Sequence, residues 1–328
     1  MTHVLPVVNA IRSARPQAEI TWIIGKLEAR LLKDIAGVEF IVFDKKGGLS
    51  AIRELRQTLK GRQFDVLLHM QVAARANLLS KLIKAQVRIG WDKPRWRDRH
   101  QWFIDQSVRS VPQQHQVDAC LEFARAIDVP VDDPIWDVPV SPEDRDWAKR
   151  ILGEGPPILM ISPCSSHPLR NWASDRYAEV ADHAISRMGM RVVLTGGPSE
   201  LELTTGREIE AAMRNELQNL IGKDTINQSV ALLQNAAILM SPDSGPAHIA
   251  SAVGTPVLGL YAATPSRRSG PYNSLELCVD KYREAARQFK HKEAGDLRWG
   301  QRVEFPGVMD LITVNDVIVK LEEFSKSY

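Results

Sequence analysis

The stretch AILMSPDSGPAHIASAVGTPVLGLY, residues 237–261, decides the fold. Its two ends, Ala237 to Ser241 and Pro256 to Tyr261, are short apolar runs of the kind found in strands buried on both faces. Between them, Ser244 or Gly245 can cap a helix, and Pro246 suits its first position. Strand, helix and strand in this order form a βαβ unit and imply a parallel sheet. The free N–H groups and dipole at such a helix start favour an anion, most often a phosphate. Gly245, Ala247, Ala250 and Ser251 keep the first turns slim enough for a ligand to approach the backbone. Asp243 would repel a diphosphate laid on top of it, so it suits hydrogen bonds from the helix N-terminus or from sugar hydroxyls. His248 is kept neutral by the dipole and can donate one bond to a phosphate oxygen. On this stretch alone, a well-capped core helix with a packed histidine stays open as a second reading.

The same alternation extends in both directions. Upstream in the second half, Pro157 to Ser162 and Arg191 to Thr195 read as strands, and Asp175 to Met188 as a helix. That helix carries Tyr177, Val180, Ala181, Ala184, Ile185 and Met188 on one face. Thr313 followed by Asp316 resembles a capping box opening a final helix that ends near Phe324. In the first half, Ile20 to Gly25, Glu39 to Phe43 and Phe64 to Met70 read as strands, and Ala51 to Leu59 as a helix with Ile52, Leu55 and Leu59 in one stripe. From about Arg88 to Val140 the pattern weakens into a connector with one helix, Val117 to Ile127, and a Pro-rich run. The expectation is α/β: two Rossmann-like domains facing across a cleft, residues 1–140 and 141–328, with the final helix able to pack back on the first. The chain opens on helical spacing at Val4, Val8 and Ile11, so the first strand and loop of a doubly wound domain are expected to be missing from it.

Composition agrees with this and removes several classes. The 328 residues fit two domains, and 44% hydrophobic with 25% charged excludes disorder. Forty-two basic against 40 acidic residues argue against nucleic-acid binding. Cys120, Cys164 and Cys278 are widely spaced and odd in number, which fits a reducing compartment rather than a disulfide or zinc framework. No signal-peptide h-region and no long apolar span is present, so a cytoplasmic protein is expected.

Four other segments can carry chemistry. In Ser162 to Trp172, the hydroxyls of Ser165 and Ser166 and the guanidinium of Arg170 can surround a diphosphate at a strand's carboxyl end. A plain polar loop is an equal reading there, while Cys164 with His167 lacks the third group a nucleophile needs. In Thr195 to Glu200 two glycines open the backbone to a ligand, and Glu200 can accept both hydroxyls of a ribose; a solvated turn is the rival. Lys223 follows a strand but has no Walker loop around it. Trp91 to Trp102 (WDKPRWRDRHQW) interleaves three tryptophans with Arg95, Arg97 and Arg99, which suits a phosphorylated, amphiphilic partner as well as it suits a docked connector. Asp144 and Asp146 imitate a metal motif but lie in a helix's first turn, where acids belong, so no metal site is expected.

Together these residues resemble the ADP-heptose–lipopolysaccharide heptosyltransferases, glycosyltransferase family 9. The strongest marks are residues 238–272, with D-S-G-P-x-H-x-A-x-A-x-G-x-P, and PLRNWASDRYAEVADH at 168–183. HVLPVVNAIRSARPQAEITWII at the start and His115 with Val117 and Asp118 are similar to the family as well.

The resemblance implies a GT-B enzyme that transfers heptose from ADP-heptose to the lipopolysaccharide core by inversion, without metal or cofactor. It implies a nucleotide-sugar donor, a lipid-linked lipopolysaccharide acceptor, peripheral contact with a membrane, and a place at the cytoplasmic face of the inner membrane. Donor-binding positions carry over to Ser165, Ser166, Arg170, Glu200, Lys223, Asp243, Ser244, Gly245 and His248. Arg170 stands where the family more often has Lys, keeping the charge but offering a planar fork. The family's general-base Asp belongs to a Gly-Asp loop before the position of Thr2, so no catalytic residue is assigned within this chain. Another nucleotide-sugar enzyme of the same fold, or a base-less binder of such donors, is the alternative.

Overall fold

The computed structural model describes residues 1–327 and divides into two compact units, Met1–Pro139 and Val140 onward. In the first, β1 (Ile20–Ile24) pairs with β2 (Val38–Val42), and β3 (Phe64–His69), β4 (Ala85–Gly90) and β5 (Gln106–Ser107) form a second small sheet; every pairing is parallel. Among the described residues no ladder joins β1 to β3. One core nevertheless spans both pieces. Ala51 and Leu55 of the helix Gly48–Thr58 pack with Ile41, Ile23, Phe64 and Leu67, so the stripe read from sequence faces both sheets. The first helix, Leu5–Ala14, buries Leu5, Val8 and Ile11 and lies against the helix Gln116–Arg125. His115 caps that second helix, its Nδ1 accepting the Val117 N–H at 3.1 Å.

The second unit holds one parallel six-stranded sheet: β6 (Ile158–Ile161), β7 (Arg191–Leu194), β8 (Gln218–Asn219), β9 (Ile238–Pro242), β10 (Val257–Tyr261) and β11 (Val279–Asp280). Their spatial order is β11-β10-β9-β6-β7-β8. The chain therefore builds outward in one direction through β7 and β8, returns to β9 beside β6, and builds outward in the other. That is the doubly wound order, and its ligand crevice lies outside the carboxyl ends of the two strands flanking the reversal. Here those are β6 and β9.

β6, β9 and β10 are buried along their whole length, as unbroken apolar runs require. The helix Ser174–Met188 covers the sheet with Tyr177, Val180, Ala181 and Ala184, all fully buried, and stops at Gly189 in the left-handed conformation (φ +65°). Asp144, of the metal-like pair, exchanges hydrogen bonds with Ser141 at its helix start, which is a capping role. Thr313 and Asp316 cap the last helix, Val314–Ser327, in the same way. Val317 and Leu321 of that helix are fully buried in the second unit's core. The connector expected from Arg88 takes in the end of β4 and the whole of β5, and a two-residue strand such as β5 leaves no periodicity to read.

Candidate functional site

The loops after β6 and β9 are tied at their roots. Ser162 N–H continues the ladder to Met240 O at 3.0 Å, and Ser241 Oγ donates to Ser162 O at 2.9 Å. With its one proton spent there, Ser241 Oγ accepts from Ser244 Oγ at 2.8 Å, and Ser244 Oγ accepts from Ala247 N–H at 3.4 Å. A single relay thus joins the first turn of the helix Gly245–Ala252 to the end of β6. Ser244 is its N-cap, as expected. Gly245 is exposed, and a Cβ built on it meets no atom within 4 Å, so the space beside it in the helix's first turn is open.

Arg170 comes to this place from a short turn, Pro168–Arg170, whose backbone is held by Arg170 N–H donating to His167 O at 2.9 Å. Its NH1 lies 3.3 Å from Asp243 Oδ2, while Nε and NH2 both donate to Glu304 Oε1, at 2.9 and 2.7 Å. On the other side of Asp243, Oδ1 stands 3.6 Å from His248 Nε2. Burial pushes the Asp243 carboxyl up, but His248, the Arg170 guanidinium and the Thr264 hydroxyl outweigh it and hold the group below the usual carboxylate value. Asp243 is therefore ionised and braced by its own helix, by the β6 loop and by the β10 loop. Within the protein a guanidinium, an imidazole and the Thr264 hydroxyl face it.

Ser165 is buried, donates its N–H to Asn171 Oδ1 at 2.7 Å and accepts from His167 N–H through Oγ at 3.3 Å. Its hydroxyl oxygen helps to shape the turn that carries Arg170, whereas Ser166 is exposed. Burial pushes the Cys164 thiol up, opposite to what a nucleophile needs.

Arg170, Asp243, Ser244, Gly245 and His248 are brought together; Glu200 and Lys223 stand further along the same strand ends. Glu200 opens the helix Glu200–Ala212 with its carboxylate in solvent, 3.2 Å from Arg207. Its neighbour Glu202 is the acid turned inward, accepting from Gly197 N–H at 2.8 Å and Ser199 Oγ at 2.7 Å. The glycine pair is thus covered by the Glu202 carboxylate: a Cβ on Gly196 or Gly197 would meet it at 3.1 or 3.0 Å. Lys223 is exposed, its Nζ donating to Asn219 O at 2.7 Å.

Sequence reasoning missed Glu304. It sits in an irregular segment pinned to the β10 loop, where Val303, fully buried, donates its N–H to Ala263 O at 2.8 Å. The only local signal is the alternation Val303-Glu304-Phe305, two apolar residues turned into the core with an acid between them.

This two-unit α/β architecture, the GT-B class expected above, is shared with solved structures. A glycosyl transferase family 9 protein from Veillonella parvula superposes with a TM-score of 0.82 at 21% identity, covering 100% of this chain and 94% of that one. The Escherichia coli ADP-heptose lps heptosyltransferase II gives 0.72 at 20%, covering 100% and 95%. In sequence, the lipopolysaccharide core heptosyltransferase OpsX of Haemophilus influenzae is 37% identical over 321 residues, 98% of this chain and 92% of that protein. The family model for glycosyltransferase family 9 (heptosyltransferase) matches residues 52–297. With the family's pattern running through β9, its capped helix and the Arg170 turn, the chain belongs to glycosyltransferase family 9 and is a glycosyltransferase.

Proposed function

We propose that this protein transfers heptose from ADP-heptose to a lipopolysaccharide core acceptor, with inversion at the anomeric carbon and without a metal ion or cofactor. The observation that carries the reading is the convergence of the Arg170 guanidinium and the Ser244-capped helix mouth outside β6 and β9. A nucleoside diphosphate leaving group gains negative charge as the glycosidic bond breaks. A fixed guanidinium and the partial positive charge of a helix N-terminus meet that charge without reorganising, the role a divalent cation fills elsewhere. The OpsX relative is described as acting on the lipopolysaccharide core, and a solved Escherichia coli relative of the same fold (TM-score 0.74) holds ADP.

In this reading the diphosphate lies against Arg170, Ser166 and the Gly245 N–H, with Ser165 shaping the turn. Asp243 takes sugar hydroxyls, and His248 orients Asp243 or a phosphate oxygen. The nucleoside extends toward Glu200 and Lys223 at the ends of β7 and β8. The enzyme works at the cytoplasmic face of the inner membrane, where a lipid-linked acceptor is presented. No residue of the described chain is assigned as the general base.

The test is transfer from ADP-heptose to a core acceptor, followed by mass spectrometry and NMR of the new linkage. The expected product has the anomeric configuration opposite to the donor's, forms equally in EDTA, and is suppressed by ADP but not by UDP. Equal suppression by UDP sinks the choice of donor. Loss of turnover in EDTA sinks the metal-free mechanism. Tight donor binding with no transfer to any core acceptor favours a non-catalytic binder.

A further inference from the structure

In the first unit the segment after β4 makes a tight, unusual turn. Asp98 and Arg99 are consecutive non-glycine residues in the left-handed region, φ +51° and +60°. Such pairs persist only where the surroundings over-determine them, and here they do. The Asp98 carboxylate accepts the Ala74 N–H at 2.8 Å, at the start of the helix Ala74–Ser80, and Asp98 O accepts Asn77 Nδ2 at 3.0 Å. Asn77 is buried, its Oδ1 shared by His69 Nε2 and His100 Nδ1, both at 2.9 Å.

This scaffold holds a large apolar side chain out in water. Trp102 is 61% exposed, and Leu78, on the helix, is 66% exposed. Cations flank them: the Arg99 guanidinium lies 4.7 Å over the Trp102 ring, and Lys81, one turn beyond Leu78, has Nζ 3.3 Å from Trp102 O. The Asp98 carboxylate, between Arg97 and Arg99 in sequence, is engaged at a helix N-terminus, where it offsets the dipole.

We propose that Leu78, Lys81, Arg99 and Trp102 form a docking surface for an anionic phospholipid bilayer. An indole and a leucine beside two cations match a membrane interface: the ring sits at headgroup depth, the leucine at the acyl boundary, and the cations meet lipid phosphate. A nucleic acid would use a cationic track and leave both apolar groups in water. The inference deepens the proposed function by supplying the surface on which a lipid-linked acceptor is met, and it rests on that reading only for the acceptor's lipid.

The test is co-sedimentation of the full chain with vesicles of phosphatidylglycerol and phosphatidylethanolamine, against pure phosphatidylcholine, with neither donor nor acceptor present. Binding is expected to the anionic vesicles only, weakened about fivefold or more in Trp102→Ala and about thirtyfold in Lys81→Gln/Arg99→Gln, where two membrane-facing cations are lost. Thermal unfolding of the variants is expected to match wild type, and so is transfer to a deacylated, water-soluble acceptor. Wild type failing to bind anionic vesicles, or variants binding as wild type does, overturns the proposal. Variants that fold but lose transfer to the deacylated acceptor overturn it too, because the patch then grips the acceptor's own phosphates. If wild type transfers nothing, the enzymatic reading fails while the vesicle result stands by itself.

Discussion

The Arg170 guanidinium lies between two carboxylates, Glu304 along its Nε–NH2 edge and Asp243 at NH1, so the three groups carry one excess negative charge. A diphosphate entering here competes with acids already in place, and Glu304 acts by fixing the fork rather than by attracting the donor. Arg170→Ala and Asp243→Ala should each remove most transfer while the protein stays folded, measured by initial rates beside circular dichroism. Glu304→Gln keeps the shape, removes one repelling charge and loosens the fork. Its kcat should fall about tenfold, the cost of one charge-assisted bond of ~1.5 kcal/mol, with the donor KM unchanged or lower. A raised KM with unchanged kcat would show Glu304 to be an ordinary binding residue. At this scale the sequence was legible in placement: Arg170, Asp243 and Ser244 stand in strand-end loops and His248 in the first turns of the capped helix, and the fold brings them together. Glu304 was illegible because its partner lies 134 positions away and no motif surrounds it. Glu200 and Glu202 were indistinguishable for another reason. Residues two apart lie on different helix faces, and only the fold decides which of those faces is turned inward.

Among the elements, the second sheet was the easiest to read, since β6, β9 and β10 are buried on both faces and leave continuous apolar runs. β4 was harder. AQVRIG alternates with only its last two residues buried, and what fixes it is the neighbouring polar network rather than its own pattern. His100 Nε2 accepts the Trp91 N–H at 3.1 Å, so its proton sits on Nδ1, directed at Asn77 Oδ1. Burial, with His69 beside it, pulls the His100 value down from 6.5 to about 4, and burial lowers His69 as well. The sign follows from linkage: below pH 6.5 the unfolded chain takes up a proton that the folded one refuses. The network's contribution is therefore present above about pH 6.5 and is lost as pH falls toward about 4. Urea denaturation followed at pH 7.5, 6 and 5 should show a falling midpoint. His100→Gln should start lower at pH 7.5 and change less between the three. An equal slope in that variant would assign the acid sensitivity to other groups.

For the whole molecule, the division of labour between the two units makes their responses separable. Every assigned donor residue belongs to the second unit, at the carboxyl ends of one continuous sheet, whereas the titrating histidines belong to the first, whose strands form two small sheets sharing a core. The order β11-β10-β9-β6-β7-β8 was foreseeable as a class, because alternating strands and helices allow few topologies, but the place of the reversal was not. That place is what puts residues 162–172 and 241–252 side by side. Hydrogen exchange should report it directly. ADP at pH 7.5 is expected to slow exchange in those two segments first and in 195–202 to a lesser degree. Acidification to pH 5, after correction for intrinsic rates, should instead speed exchange in 90–108, where the His100 network holds β4 and the turn beyond it. Nucleotide protection spread evenly over both units, or confined to the first, would contradict a donor site built at the β6–β9 reversal, because the amides that such a site orders lie in the loops at the carboxyl ends of the second unit's sheet.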